Sequence, residues 1–184
     1  MTLSKERLDP HLGHPYILFY HWEVNSETPL LLACMSQWFA TSFKDPDHPH
    51  LTFPTTEHYM MYGKALVFDP EVADEIAKAP TPEEAKARGR KIRNFNREKW
   101  DETCDGIVEK GNYLKFSQNG DLRGIIVKTE GRTLVEASPT DRIWGIGFGV
   151  NDAEGKEDQW GTNRMGLALT RARDQIVRES KNEV

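Results

Sequence analysis

Glu57, His58 and Lys64 fall together in the segment "FPTTEHYMMYGKA" (residues 53–65), among large apolar side chains. Thr55 or Thr56 can cap a helix, and no Pro or β-branched run follows to stop it, so a helix is expected from about residue 56 to 66. On that helix Glu57 and Lys64, seven residues apart, share a face about two turns from each other, with Met60 and Met61 on or near it. A partly solvated helix with two surface charges has this pattern. So does a pocket wall with a reacting group at each end.

Further carboxylates stand beside aromatic residues and glycines: Glu136 in "LVEAS" and Asp141 in "DRIWGIG". Cleavage of a glycosidic bond needs such groups in an aromatic pocket, one to stabilise the oxocarbenium-like sugar or activate water, another to assist the leaving base. Trp38, Phe39 and Trp144 would hold a planar base by stacking. Each residue also has a plain alternative: Trp144 in the core, Asp141 capping a turn, Glu136 paired with an Arg.

Other chemistries fit less well. Gly145, Gly147 and Gly149 in "WGIGFGV" miss the dinucleotide spacing, and the polar, turn-forming "NDAEGKEDQWG" follows where a helix should start. Those glycines mark backbone that turns or approaches a neighbour closely. Asp45, Asp47, His48 and His50 lie in a Pro-rich loop without recognised ligand spacing, so no metal is expected. No G-x-S-x-G nucleophile motif occurs. Cys34 and Cys104 form neither a disulfide framework nor a zinc signature and are expected to be reduced packing residues.

The 184 residues suit one domain with a full core, and 38% hydrophobic content with aromatics spread along the chain excludes a disordered protein. No apolar run approaches the roughly 18 residues of a membrane span, and "MTLSKERLDP" lacks the apolar core of a signal peptide, so no membrane association and a cytoplasmic or nuclear location are expected. A net charge of −5 argues against coating nucleic acid by charge alone. It leaves room for a local basic site, and "AKARGRKIRNFNREKW" concentrates seven Lys and Arg against one Glu.

Residues 1–15 are expected to form an arm, and 16–180 one mainly α domain with a small β component. "YILFYHWEV" (16–24) predicts a first strand, and "LLLACMSQWFA" a strand or short helix. A Pro- and Asp-punctuated loop or hairpin precedes the helix at 56–66. "DPEVADEIAKA" predicts a helix with Asp69 as N-cap and Pro70 at its first position. "TPEEAKARGRKI" predicts another, with Thr81 as cap and Glu84 closing a capping box. A long helix with Trp100, Cys104, Ile107 and Val108 at helical spacing, a short helix over "GDLRGIIVKT", a strand "RTLVEAS", a Gly- and Trp-rich loop and a final amphipathic helix complete the chain.

The order and spacing of "FPTTEHYMMYGKA", "APTPEEAKARGR", "KW", "KFSQN", "LVEASPTDRIWGIG" and "WGTNRMGLAL" resemble the NADAR family, named for NAD and ADP-ribose, which includes YbiA-like proteins. The resemblance runs from about Phe19 to Val177. It implies a single-domain YbiA-like multihelical fold and N-glycosidase activity on ribosyl compounds, without a cofactor. Two substrate types are implied: ADP-ribose attached to guanine, in nucleic acid or nucleotides, and a ribosylamino-pyrimidine phosphate of the riboflavin pathway. A non-catalytic ADP-ribose reader is the rival class. ADP-ribosylated DNA or RNA would then be a transient partner, with no oligomeric state implied. By the resemblance, Glu57, Lys64 and Asp141 are catalytic. His58 of the "EH…K" helix, Gly89 and Arg90 of "GR", Trp100, Trp144, Gly145, Gly147 and Asn163 bind substrate, and "SQW" places Gln37 and Trp38 near the sugar or base. Glu57 is expected to serve as acid/base, and Lys64 as a ligand contact or, with a pKa lowered by burial, a Schiff-base nucleophile. Gly89, unfavourable in a helix by about 1 kcal/mol relative to Ala, marks a close approach, and Arg90 a diphosphate clamp.

Overall fold

A computed structural model of the chain describes residues 14–182. The arm expected over residues 1–15 lies, up to residue 13, outside the described residues. Among them the chain forms seven α-helices and two short strands. In order these are β1 (Tyr16–Phe19), α1 (Leu30–Ala33), α2 (Thr56–Phe68), α3 (Ala73–Ala77), α4 (Pro82–Gly89), α5 (Arg97–Gln118), α6 (Gly120–Val127), β2 (Thr133–Glu136) and α7 (Arg164–Asn182). The mainly helical fold with a small β component is as the sequence predicts. No helix among the described residues is long and apolar enough to cross a membrane.

α2 is the central element, packed against α3, α4 and α5. Thr55 caps it by accepting from the His58 N–H, and nine of its thirteen residues are buried, from Thr56 through Gly63 and again at Ala65. α7 covers the other side of α5 and also packs on β2. The strands pair in parallel, Tyr16 opposite Thr133 and Phe19 opposite Glu136. The main core runs from Phe19 and Met35 through Phe53, Tyr59 and Met61 to Phe116 and Leu169.

Several boundaries differ from expectation for local reasons. β1 stops at Phe19, because β2 offers only four residues to pair with, and residues 21–27 emerge exposed. α1 realises the short-helix alternative for residues 30–33. Pro70 opens a 3₁₀ turn (Pro70–Val72) ahead of α3, and Asp69 caps neither. Its carboxylate is taken by Arg93, whose Nε donates at 2.9 Å and backbone N–H at 3.2 Å. Thr81 does cap α4, accepting from the Glu84 N–H at 3.1 Å, but the Glu84 carboxylate meets Arg88 instead of closing the box. The loop before α2 is held by the Phe43–Phe53 bridge and by buried Asp45, which accepts from the Tyr59 hydroxyl (2.6 Å) and pairs with Lys110 (2.8 Å). Cys34 and Cys104 are both free and buried.

Two helical glycines should respond oppositely to alanine. A Cβ on Gly166, in the first turn of α7, would overlap the Leu134 carbonyl and crowd the Asn163 amide at 2.5 Å, whereas one on Gly106 of α5 meets nothing within 4 Å. Thermal melting should show Gly166→Ala losing about 1–3 kcal/mol by overpacking and Gly106→Ala gaining roughly 0.5–1 kcal/mol from helix propensity. Equal midpoints for the two variants would contradict this packing of α7 on β2.

Candidate active site

A cleft of about 880 Å³ opens between α2, α4, the segment after β1, the wall at residues 36–38 and the loop after β2. One side of α2 forms its floor with Glu57, Met60, Met61 and Lys64, so the shared face read from the spacing is a cleft face. Glu57 is 5% exposed, which makes it a carboxylate inside the fold. Burial pushes its pKa up, opposed by the charge of Lys86, by the Trp38 side chain and by Arg90.

A second carboxylate, half-buried, comes from the end of β2. Glu136 lines the same cleft, and burial, with repulsion from Asp141 and Glu57, raises its pKa to about 7 against an opposing Lys86. Its backbone is fixed from three sides. Asn163 accepts from the Glu136 N–H at 3.0 Å and donates to the Leu134 carbonyl at 3.0 Å, while the Ile146 N–H donates to the Glu136 carbonyl at 3.0 Å. Asn163 itself sits at φ +49°, a left-handed conformation that Asn tolerates better than most residues. Asp141 also lines the cleft, but one oxygen closes an Asx turn, accepting from the N–H groups of Ile143 (2.8 Å) and Trp144 (2.9 Å).

Three cations meet this acidic floor. Lys64 donates to the Gly89 carbonyl at 2.8 Å and lies over the Phe95 ring at 4.4 Å and the Trp100 ring at 5.9 Å. Burial and then the charge of Arg90 lower its pKa. Lys86 of α4 and Arg90 at its C-cap, one turn apart, line the cleft with neither a hydrogen bond from the side chain nor an ion pair to any described residue. Lys86 lies over the Trp38 ring at 5.7 Å, and Trp38 in turn packs against Trp22, centroids 4.9 Å apart.

Of the residues selected from sequence, Gln37, Trp38, Glu57, Lys64, Arg90, Trp100, Asp141 and Trp144 converge on the cleft. Six do not line it. His58 is 1% exposed, with its ring nitrogens engaged by the Thr55 hydroxyl (2.8 Å) and the Ala79 carbonyl (3.0 Å), so it ties α2 to the turn after α3. Asn163 serves β2 as described. Gly89 is the close approach inferred for it, since a Cβ there would overlap the Met61 sulfur. Gly145 likewise sits against the Glu136 carbonyl and Ser138, and Gly147 turns at φ +77° over Arg142. Phe39, expected as a wall, turns into the core. Glu136 was legible as a carboxylate beside aromatics. Lys86 lay within the basic run, one helical turn before Arg90. Trp22, beyond the end of β1, had no signal. Asp45 and Asp47 pair with Lys110 and His50 with Asp74. Among the described residues no group of three or more His, Cys, Asp or Glu could hold a metal.

Comparison with known proteins agrees with this architecture. The family model of the NADAR domain matches residues 20–177. The chain is 40% identical over 145 residues to N-glycosidase R617 of Acanthamoeba polyphaga mimivirus, covering 76% of this chain and 85% of that protein. It is 32% identical over 128 residues to N-glycosidase YbiA of Escherichia coli, covering 70% and 73%. The NMR structure of the E. coli protein YbiA superimposes with a TM-score of 0.69 at 27% identity, over 90% of this chain and 87% of that one. With its fold, its motif order and most of its length matched, the chain belongs to the NADAR domain family, whose curated relatives here include N-glycosidases.

Proposed function

We propose that this protein is an N-glycosidase that removes ADP-ribose from guanine, in nucleic acid or in nucleotides. The observation that carries the reading is the placement of a buried carboxylate, Glu57, and a half-buried one, Glu136, in a cleft whose wall also holds two cations outside any ion pair, Lys86 and Arg90. A neutral ribosyl base would need the carboxylates alone. Cations outside any ion pair suit a substrate that also carries phosphates, and Arg90 offers a planar fork for a diphosphate. Trp38 and Trp22, packed on each other, and Trp100 beside Lys64 line the cleft and supply aromatic faces for the bases.

In this reading Glu136, protonated over much of the neutral range, gives its proton to the base nitrogen as the bond from ribose C1 to that nitrogen breaks. The bonding pair leaves with the base. Glu57 takes a proton from the group that then bonds to C1. Desolvation and a neighbouring cation are the conditions that make a lysine nucleophilic, and Lys64 has both. Its amine attacks C1, the sugar ring opens to an imine, and water added with help from Glu57 releases the sugar and restores the amine.

Incubation with a guanine-ADP-ribosylated oligonucleotide, followed by mass spectrometry of both products, tests the reading. Free ADP-ribose and an unmodified oligonucleotide are expected, and borohydride added during turnover should leave a sugar adduct on Lys64. Base release from a ribosylamino-pyrimidine phosphate alone would reassign the substrate. ADP-ribose binding without release from any ribosylated substrate would make the protein a reader.

Glu57→Gln keeps shape and removes the base. Turnover should fall by about 10²- to 10⁴-fold while ADP-ribose still raises the melting midpoint by binding the folded state. Near-normal turnover would remove Glu57 from the mechanism.

The raised pKa of Glu136 has a separate signature in stability. Folded, this group keeps its proton to about 7 against an ordinary 4.5. Below the ordinary value it is protonated in both states and contributes no pH dependence. Between the two values the unfolded chain ionises first, so stability falls as pH rises, and above about 7 the loss is complete. Glu136→Gln cannot ionise. Its melting midpoint should therefore pull ahead of the wild type as pH rises through that window and keep a constant lead above it. A lead independent of pH would mean that Glu136 is not held protonated.

A further inference from the structure

Lys115 of α5 is wholly buried, and no carboxylate among the described residues pairs with it. Its Nζ donates to the Ser36 carbonyl at 3.0 Å and lies over the rings of Phe39 (5.5 Å) and Phe116 (5.1 Å). Burial lowers its pKa to about 8, with Cys34 nearby opposing. An ammonium without a counter-charge is an expensive group to bury, and a methionine would fill nearly the same space without that cost. Lys115 does not line the cleft, so its charge does not serve the ligand directly.

What it does hold is the cleft wall. The Ser36 hydroxyl accepts from the Trp38 N–H at 3.2 Å, and the Ser36 carbonyl also accepts from the Phe39 N–H at 3.3 Å. The Gln37 carbonyl accepts from the Glu57 N–H at 3.1 Å and the Thr56 hydroxyl at 3.2 Å. One turn before Lys115, buried Asn112 donates to the Gln37 side chain at 3.3 Å. α5 thus grips the wall from behind at Ser36 and Gln37, and the wall grips the first turn of α2 at Glu57.

We propose that Lys115 is a positioning residue, which fixes Trp38 and Glu57 relative to each other through the Ser36 carbonyl and does so at a cost to fold stability. The effect on turnover rests on the N-glycosidase reading above; the effect on the wall does not.

Lys115→Met separates these roles. Its melting midpoint should rise, because the desolvated charge is gone. Native-state hydrogen exchange of the Phe39 and Glu57 amides should nevertheless speed up, while core amides of α5 and α7 stay protected. Base release should slow by about tenfold to 10²-fold, carried by kcat, as misplacement of reacting groups does. A variant that melts earlier or fails to fold would show Lys115 to be an ordinary structural residue and overturn the proposal. So would unchanged exchange at Phe39 and Glu57. A wild-type protein that releases no base would refute the N-glycosidase reading, and the exchange measurement would then decide the role of Lys115 by itself.

Discussion

A helix buried on nearly every side has almost no surface on which to place a charge, and α2 carries Glu57, His58 and Lys64 all the same. Each polar group on it must find a partner inside the protein or open onto a cavity. His58 takes the first course with the Thr55 hydroxyl and the Ala79 carbonyl. Lys64 takes both: its ammonium donates to the Gly89 carbonyl, and the residue lines the cleft. Glu57 takes the second, and the cleft exists where α4, the residue 36–38 wall and the loop after β2 stop short of it. The close approach of α4 at Gly89 follows from the same constraint, because Met61 of the buried helix occupies the space a side chain would need.

The small sheet has a function out of proportion to its size. Four paired residues could not form a stable sheet in isolation. Here the Asn163 side chain stands in for a missing neighbour, offering one acceptor to the Glu136 N–H and one donor to the Leu134 carbonyl. α7 begins one residue later and closes over the same backbone at Gly166. The far end of the chain therefore fixes Glu136, while the residue 36–38 wall and α4 surround Glu57. Two carboxylates 79 residues apart in sequence come to face one cleft through these independent supports. Burial, with repulsion from Asp141 and then Glu57, keeps Glu136 protonated to about 7.

Local features were legible wherever the chain interacts with itself over a few residues. The caps at Thr55 and Thr81, the helical spacing of Trp100, Cys104 and Val108, and the shared face of Glu57 and Lys64 all arise within one or two helical turns. The order of six segments carried the family and, with it, the mainly helical fold. Features that failed were those in which another group competes for the side chain or sets the length. Asp69 reads as a cap, and Arg93, 24 residues on, takes its carboxylate. Glu84 reads as the return half of a capping box, and Arg88 draws it away. The strand read over residues 16–24 ends early because its length is set by its partner, β2.

The same division separates the site's residues. Sequence by itself determined which residue types could do chemistry, that Glu57 and Lys64 look the same way, and that the glycines of "GR" and "WGIG" mark tight contacts. It could not distinguish a motif residue that meets a ligand from one that holds another motif residue, because both are needed in the same place. Tertiary structure made that distinction, turning His58 inward to Ala79 and Asn163 onto β2, and bringing Lys86, Glu136 and Trp22 to the cleft. The physical reason is that burial and unpaired charge are properties of a surroundings assembled from many segments. Only the packed chain supplies those surroundings.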